Sequence, residues 1–209
     1  MDRKAHWEQV YRTKPPTSVS WYQPEAALSA QLIEQIAPDR TTAIIDVGAG
    51  ASVLVDQLLD AGYLDLTVAD IAGAALDLSR DRLGPRAAAV QWLEGDILHA
   101  ALRPARFQLW HDRAVFHFLT EAADRAAYLA QVTRALAPGG HLLLATFAED
   151  GPTRCSGLDV VRYSPEALLA ELGDGFEAIE AQREEHHTPA GSVQYFTYLV
   201  CQRTDGSGR

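Results

Sequence analysis

Apolar residues follow two rhythms along this chain, and the rhythms alternate. Short, nearly continuous apolar runs read as buried strands; stretches with an apolar residue every third or fourth position read as amphipathic helices. Strands are expected at 43–47, at 66–69 ending on Asp70, at 89–93 leading into Gly95-Asp96, at 107–110 ending on His111-Asp112, and at 141–147. Between them lie expected helices at 53–61, stopped by Gly62, at 72–83, stopped by Gly84-Pro85, and at 120–136, followed by a turn at Pro138-Gly139-Gly140. Upstream, Leu28, Leu32, Ile33 and Ile36 share one face of a helix over 25–37 that Pro38 ends. Downstream, Ser164-Pro165-Glu166 supplies an N-cap, a first-turn proline and a first-turn acid for a helix to Leu172. Two strand-like stretches in 176–202 flank a turn at Pro189-Ala190-Gly191, and 204–209 reads as a frayed end.

Strands alternating with helices, closed by a hairpin, predict an α/β fold with a Rossmann-like doubly wound sheet. Residues 1–40 read as a partly helical N-terminal lead-in broken by Pro15, Pro16 and Pro24, and 41–203 as the main domain. The 209 residues suit one such domain, and a hydrophobic content of 47% is enough for a sizeable core. A formal net charge of −10 makes the chain a poor polyanion binder, so no nucleic-acid partner is expected. Cys155 and Cys201 lie far apart, which implies no disulfide framework and suits a reducing cytosol. The N-terminus lacks the apolar core of a signal peptide and no apolar run approaches membrane-spanning length, so a cytoplasmic protein without membrane contact is expected. His186-His187 has no further ligand at useful spacing, so no metal site is expected.

Ligands of doubly wound sheets bind outside the carboxyl ends of the strands. Here those ends carry Asp46, Asp70, Asp96 and Asp112. In the first loop, Gly48 and Gly50, with Ala49 between, allow a tight turn and a close approach to a ligand. A dinucleotide fingerprint would want glycine at 53, where Val53 stands, and a carboxylate at Asp46 would repel a pyrophosphate. Asp46 fits better beside a tightly held water or an ammonium group, such as the methionyl amine of S-adenosylmethionine, which has no phosphate. Asp70 can accept from ribose hydroxyls with Ile71 against an adenine face, and Asp96 from the adenine amine with Ile97 beside it.

The ordered set Asp46-Val47-Gly48-Ala49-Gly50, Asp70, Gly95-Asp96-Ile97 and Ala137-Pro138-Gly139-Gly140 resembles the class I S-adenosylmethionine-dependent methyltransferases over residues 40 to 148. Ser52 departs from it, since many members have a further glycine there. The resemblance implies a seven-stranded sheet whose last strand, 193–200, is antiparallel and inserted beside the fifth. It also implies in-line methyl transfer from S-adenosylmethionine.

The acceptor is expected near the end of the fourth strand, Trp110 to Phe118, the most polar and aromatic strand end in the chain. His111 or His117 would serve as general base, Arg113 would hold an anionic acceptor, and His111 would also border the cofactor. The structural alternative pairs Asp112 with Arg113 and makes His117 a helix cap. Trp21 and Tyr22 read as a lid over the cofactor, Trp7 as core, and Cys155 sits in a loop able to reach the acceptor. The Asp112-Arg113 pair is similar to small-molecule thiol and thiopurine methyltransferases. The segments His6 to Tyr11 and Gln194 to Tyr198 look like small protein-lysine methyltransferases. A small-molecule acceptor is the leading expectation, a thiol among the candidates, with a protein lysine as the alternative. A nucleotide-cofactor oxidoreductase and a non-catalytic binding protein stand behind both. The exposed edge of such a sheet can support dimers.

Overall fold

The computed structural model describes residues 2–204. Five parallel strands come first in sequence: β1 (Ala43–Val47), β2 (Asp65–Asp70), β3 (Val90–Glu94), β4 (Phe107–Arg113) and β5 (Leu136–Phe147). A short hairpin, β6 (Arg154–Cys155) and β7 (Leu158–Asp159), follows, and the long strands β8 (Phe176–His187) and β9 (Val193–Arg203) close the chain. The main sheet runs β3-β2-β1-β4-β5-β9-β8, with β9 antiparallel to both β5 and β8. This is the seven-stranded sheet that the family resemblance implies, with its last strand antiparallel beside the fifth. It reverses between β1 and β4, so their carboxyl ends open the crevice in which such sheets bind ligands.

Helices cover both faces, because successive residues of a strand point to opposite sides. Ile45, Leu142 and Leu144 pack with Tyr128 and Val132 of α5 (Ala122–Ala135) and Leu168 and Leu172 of α6 (Pro165–Leu172). Ile44, Leu143 and Ala145 pack on the other face with residues of α2 (Ala27–Ile36), α3 (Leu54–Asp60) and α4 (Gly73–Leu83). The start of α6 is built as the sequence suggests: Ser164 accepts from the Ala167 amide and Pro165 occupies the first turn. The sheet edge β8 alternates exposed residues with partly buried ones, among them Glu177, Glu180 and Glu185, a charged edge that discourages pairing with another sheet.

Three local features differ from expectation. Residues 3–13 form a full helix, α1 (Arg3–Thr13), capped by Asp2. It buries fully only Val10, so a stretch this polar gives little apolar periodicity to read. Pro138-Gly139-Gly140 is no separate turn: β5 already begins at Leu136, and the proline and glycines form an irregularity where the β4–β5 register shifts. At the C-terminus, Thr204 bonds the carbonyl of Gly175, while 205–209 of the expected frayed end lie outside the described residues.

The end of β4 is braced by a buried polar chain. Trp110 Nε1 donates to Tyr128 Oη at 2.9 Å, and Tyr128 donates to Asp112 at 2.5 Å. The same carboxylate accepts from the amides of Val115 at 2.8 Å and Phe116 at 3.1 Å, closing the turn after the strand. Tyr128→Phe leaves the buried Trp110 donor alone and removes one donor from Asp112. We expect a loss of about 1–3 kcal/mol in unfolding free energy by chemical denaturation. A loss under about 0.5 kcal/mol would mean the chain contributes nothing to stability.

Candidate functional site

Two cavities lie over the carboxyl ends of β1, β2 and β4 and share Tyr11, Trp21, Val47, Gly48 and Arg113 in their walls. The larger has about 930 Å³ of empty space, its open mouth included, and the smaller about 630 Å³. Asp70, Ile71, Asp96 and Ile97 line one end of the larger cavity. Arg113, Phe118, Phe147, Cys155 and Phe196 also line it. Asp46, Ala49, His111 and Ser29 line the smaller cavity.

The loop after β1 is held from the next strand. Asp70 accepts from the Gly50 amide and the Ala72 amide, each at 2.8 Å, which joins the loop to the segment opening α4. Burial pushes this carboxyl up to about 6, against the pull of those two amides, and the nearby Asp46 and Glu8 raise it further. Gly50 thus faces neither cavity but fixes Asp70. Tyr11 covers it so closely that a Cβ would lie 2.2 Å from the phenol oxygen. Gly48 has φ +62°, and its missing Cβ would lie 1.9 Å from Val115. Asp96 caps the turn after β3 by accepting from the Leu98 amide at 3.0 Å.

Register explains the second cluster. Asp46 on β1 stands beside His111 on β4, so their side chains share a face. His111 Nδ1 meets Asp46 at 2.6 Å, and Nε2 meets the Ser29 hydroxyl of α2 at 2.9 Å. In the neutral ring, Nδ1–H donates to the carboxylate and Nε2 accepts from the serine. Ser29 gave no sequence signal, because a small polar residue on a helix looks like ordinary surface until the fold turns it inward.

Arg113 is engaged elsewhere. Its Nε donates to Tyr198 at 2.8 Å and its Nη2 to Glu184 at 3.0 Å, and its guanidinium lies 4.1 Å from the Phe196 ring centre. It pairs with Glu184 of β8 and not with Asp112. Alternation along β4 is the reason: His111 and Arg113 point to one face, Trp110 and Asp112 to the other. Asp112, grouped with the acceptor chemistry from sequence, therefore lines neither cavity and serves the turn. Burial pushes its carboxyl up to about 6.

His117, the other expected base, is also set away from both cavities. It is fully buried and packs on Phe118 and Phe147, which do line the larger one. Its Nδ1 accepts the Phe147 amide at 3.3 Å, and Nε2 has no partner among the described residues. Burial, with Arg113 nearby, lowers its pKa to about 3. Trp21 does line both cavities, and so does Tyr11. Trp7, expected in the core, is half-buried and also faces the larger cavity, where it packs edge-on against Trp21 and Phe118. Tyr22 lines the smaller one. His186 bonds the Ser20 carbonyl at 2.7 Å while His187 pairs with Glu185, so the two rings do not converge.

The fold is shared with solved structures. One, from the conversion of a disulfide bond into a thioacetal group during echinomycin biosynthesis, has a TM-score of 0.76 at 18% identity, covering 98% of this chain and 94% of that one. The 1,6-didemethyltoxoflavin-N1-methyltransferase of Burkholderia thailandensis, solved with S-adenosylhomocysteine, has a TM-score of 0.67 at 22% identity, covering 87% and 80%. A family profile described as a methyltransferase domain matches residues 44–140, the stretch that carries Asp46, Asp70 and Asp96. Over those residues the chain is similar to methyltransferase domains, in agreement with the family resemblance of its strand-end motifs. Among curated relatives, the eEF1A lysine and N-terminal methyltransferase of Danio rerio is 28% identical over 201 residues. That alignment covers 95% of this chain, and the chain spans 28% of the relative's length.

The Burkholderia thailandensis enzyme holds S-adenosylhomocysteine, the demethylated form of S-adenosylmethionine, and the residues lining these cavities fit that cofactor. Acceptors and apolar faces suited to an adenosine lie at one end, a carboxylate suited to an amine lies in the adjoining cavity, and glycine backbone lies between. Among the described residues, Arg3 and Arg113 are the arginines in these walls, and each is paired with an acid, which makes the walls a poor match for a phosphate. The protein should also show an acid-sensitive element at His117. Its folded pKa lies below the unfolded value, so its contribution is intact above about 6.5 and is lost as pH falls towards about 3. Denaturation of wild type and His117→Gln across pH 7 to 4 should show the wild type losing ground to the variant as pH falls. A constant difference would contradict a buried neutral imidazole.

Proposed function

We propose that this protein methylates a small molecule bound at the aromatic end of the larger cavity. The observation that carries this reading is enclosure: Trp7, Tyr11, Trp21, Phe118, Phe147 and Phe196 wall one cavity together with the Asp70 and Asp96 end. An acceptor there would be surrounded by apolar surface, as small ligands commonly are. In this reading Asp70 accepts from the ribose hydroxyls, Ile71 and Ile97 lie against adenine, and Asp96 accepts its amine. Asp46, oriented by His111 and Ser29, faces the methionyl amine, Gly48 and Ala49 let backbone approach closely, and Trp21 covers both cavities. When bound, S-adenosylmethionine presents a methyl group on a positively charged sulfur that needs no further activation. The chain then contributes orientation and exclusion of water. Both ring nitrogens of His111 are engaged and His117 is buried away from the cavities, so neither is a free general base. A nucleophile that attacks through its own lone pair, a thiol or an amine, suits such a site.

A second reading, methylation of a protein amine, is favoured by one observation, the name of the relatives. The fish protein is described as acting on a lysine and an N-terminus of eEF1A. An aromatic-walled cavity can also take an aliphatic amine. Incubation with methyl-labelled S-adenosylmethionine separates the two. We expect label in the small-molecule fraction from a panel of thiols and amines, and none on eEF1A. Label on eEF1A alone would replace the first reading with the second.

The cofactor assignment has its own check by calorimetry with S-adenosylhomocysteine. Ribose hydroxyls donate to the ionised form of Asp70, whose folded pKa is about 6. Affinity should therefore fall as pH drops through about 6, and Asp70→Asn should flatten that dependence. Asp70→Ala should cost about 1.5–3 kcal/mol of binding. Unchanged affinity in a folded variant, or tight NAD binding with no response to S-adenosylhomocysteine, would remove this assignment.

A further inference from the structure

Arg113 would give the acceptor end of the cavity a positive charge if it stood alone. It does not. Its side chain and that of Glu184 are only 10% and 13% exposed and meet at 3.0 Å. Tyr198 completes a triangle, accepting from Arg113 at 2.8 Å and donating to Glu184 at 3.2 Å. Arg113 reaches it because the strand between them presents only Ala145: Arg113 stands beside Ala145 on β5, and Ala145 beside Tyr198 on β9. Gln23 donates to the other Glu184 oxygen at 2.8 Å, so the carboxylate is fixed from both sides.

The rest of this end adds no net charge. Phe118, Phe147, Phe196 and Trp21 supply aromatic faces. Burial pushes the Cys155 thiol up to about 11, so it stays protonated at neutral pH. His117, behind Phe118 and Phe147, stays neutral because burial lowers its pKa.

We propose that Glu184 is a specificity-determining residue: by neutralising Arg113 it makes this cavity select uncharged aromatic acceptors over anionic ones. This rests on the reading that the aromatic end takes the acceptor, and it names the acceptor's class. A carboxylate brought to the cavity would meet the Arg113 guanidinium in the wall with Glu184 paired to it from behind, so attraction to the one is offset by repulsion from the other, while desolvation remains unfavourable. A flat uncharged ligand loses nothing there and stacks on the aromatic walls. Glu184 gives no such signal in sequence, since it stands in the Glu-rich edge strand and would be read as solvated.

The test uses the full chain saturated with S-adenosylhomocysteine, with indole and indole-3-carboxylate as probes in calorimetric titration. Wild type should bind indole at least about tenfold more tightly than the carboxylate. Glu184→Gln, which exposes the charge of Arg113, should move that ratio about tenfold or more towards the carboxylate. The double variant Arg113→Met with Glu184→Met should restore the wild-type preference, and it guards against misfolding, because replacing a buried ion pair by apolar residues is commonly tolerated. A wild type that binds the carboxylate as well as indole, or that binds neither probe, overturns the proposal. So does an unchanged ratio in a folded Glu184→Gln. S-adenosylhomocysteine binding is measured first and separately: if it is intact while selectivity fails, this proposal falls and the cofactor assignment stands.

Discussion

Keeping the Asp70 carboxylate buried at the end of β2 constrains everything around the cofactor end of this molecule. A carboxylate so removed from water needs donors, and it takes them from Gly50 and Ala72. Those two bonds set where the loop after β1 lies and where α4 begins. The loop in turn brings Gly50 under Tyr11 and Gly48 against Val115, so α1 and the turn after β4 pack on a surface that the carboxylate has fixed. Glu8 of α1 adds to this by accepting the Gly73 amide at 2.7 Å, at the first residue of α4. The cover over the cavity and its floor are therefore tied to the same few backbone amides.

The pleat of β4 divides the rest of the chemistry. Consecutive residues from Trp110 to Arg113 alternate between two faces, so one strand end serves two purposes. Trp110 and Asp112 go to the α5 side and make a buried brace with Tyr128. His111 and Arg113 go to the α2 side and meet Asp46 and Glu184 there. A shift of one residue would exchange the sets and place Trp110 among ligands and Asp46 against a tryptophan. The brace and the site enforce each other's register.

This division marks how far the sequence could be read. The parallel strands follow from apolar runs and glycines, because burial on both faces leaves a continuous apolar signature, and the inserted antiparallel β9 follows from the family resemblance. Asp46, Asp70 and Asp96 were visible because each stands at or within two residues of the carboxyl end of a strand, and strand ends are fixed once the strands are. The segment after β4 was harder. Its polar residues are consecutive, and linear proximity suggested one cluster where alternation makes two. His117 drew attention as a histidine, yet it is held in the core by the Phe147 amide. Ser29 and Glu184 were invisible as site residues because they come from a helix and an edge strand. Nothing local distinguishes them before the sheet order brings them together.

The cofactor and acceptor ends consequently differ in electrostatic character although they share walls. Asp46, Asp70 and Glu8 lie close enough for the first and third to raise the carboxyl of the second. A negative region of this kind favours a ligand carrying positive charge, and a sulfonium with an ammonium answers it without any basic residue. Towards Phe196 that bias ends, because Arg113 and Glu184 cancel and the aromatic walls carry no charge. Methyl transfer to a neutral lone pair begins with a charged donor and an uncharged nucleophile, and the positive charge moves to the acceptor or leaves with a proton. In the proposed reading, a cavity acidic at the donor's end and neutral at the acceptor's end would hold both partners without opposing their approach. The arrangement needs no strong base, consistent with two histidines that are both occupied in holding structure.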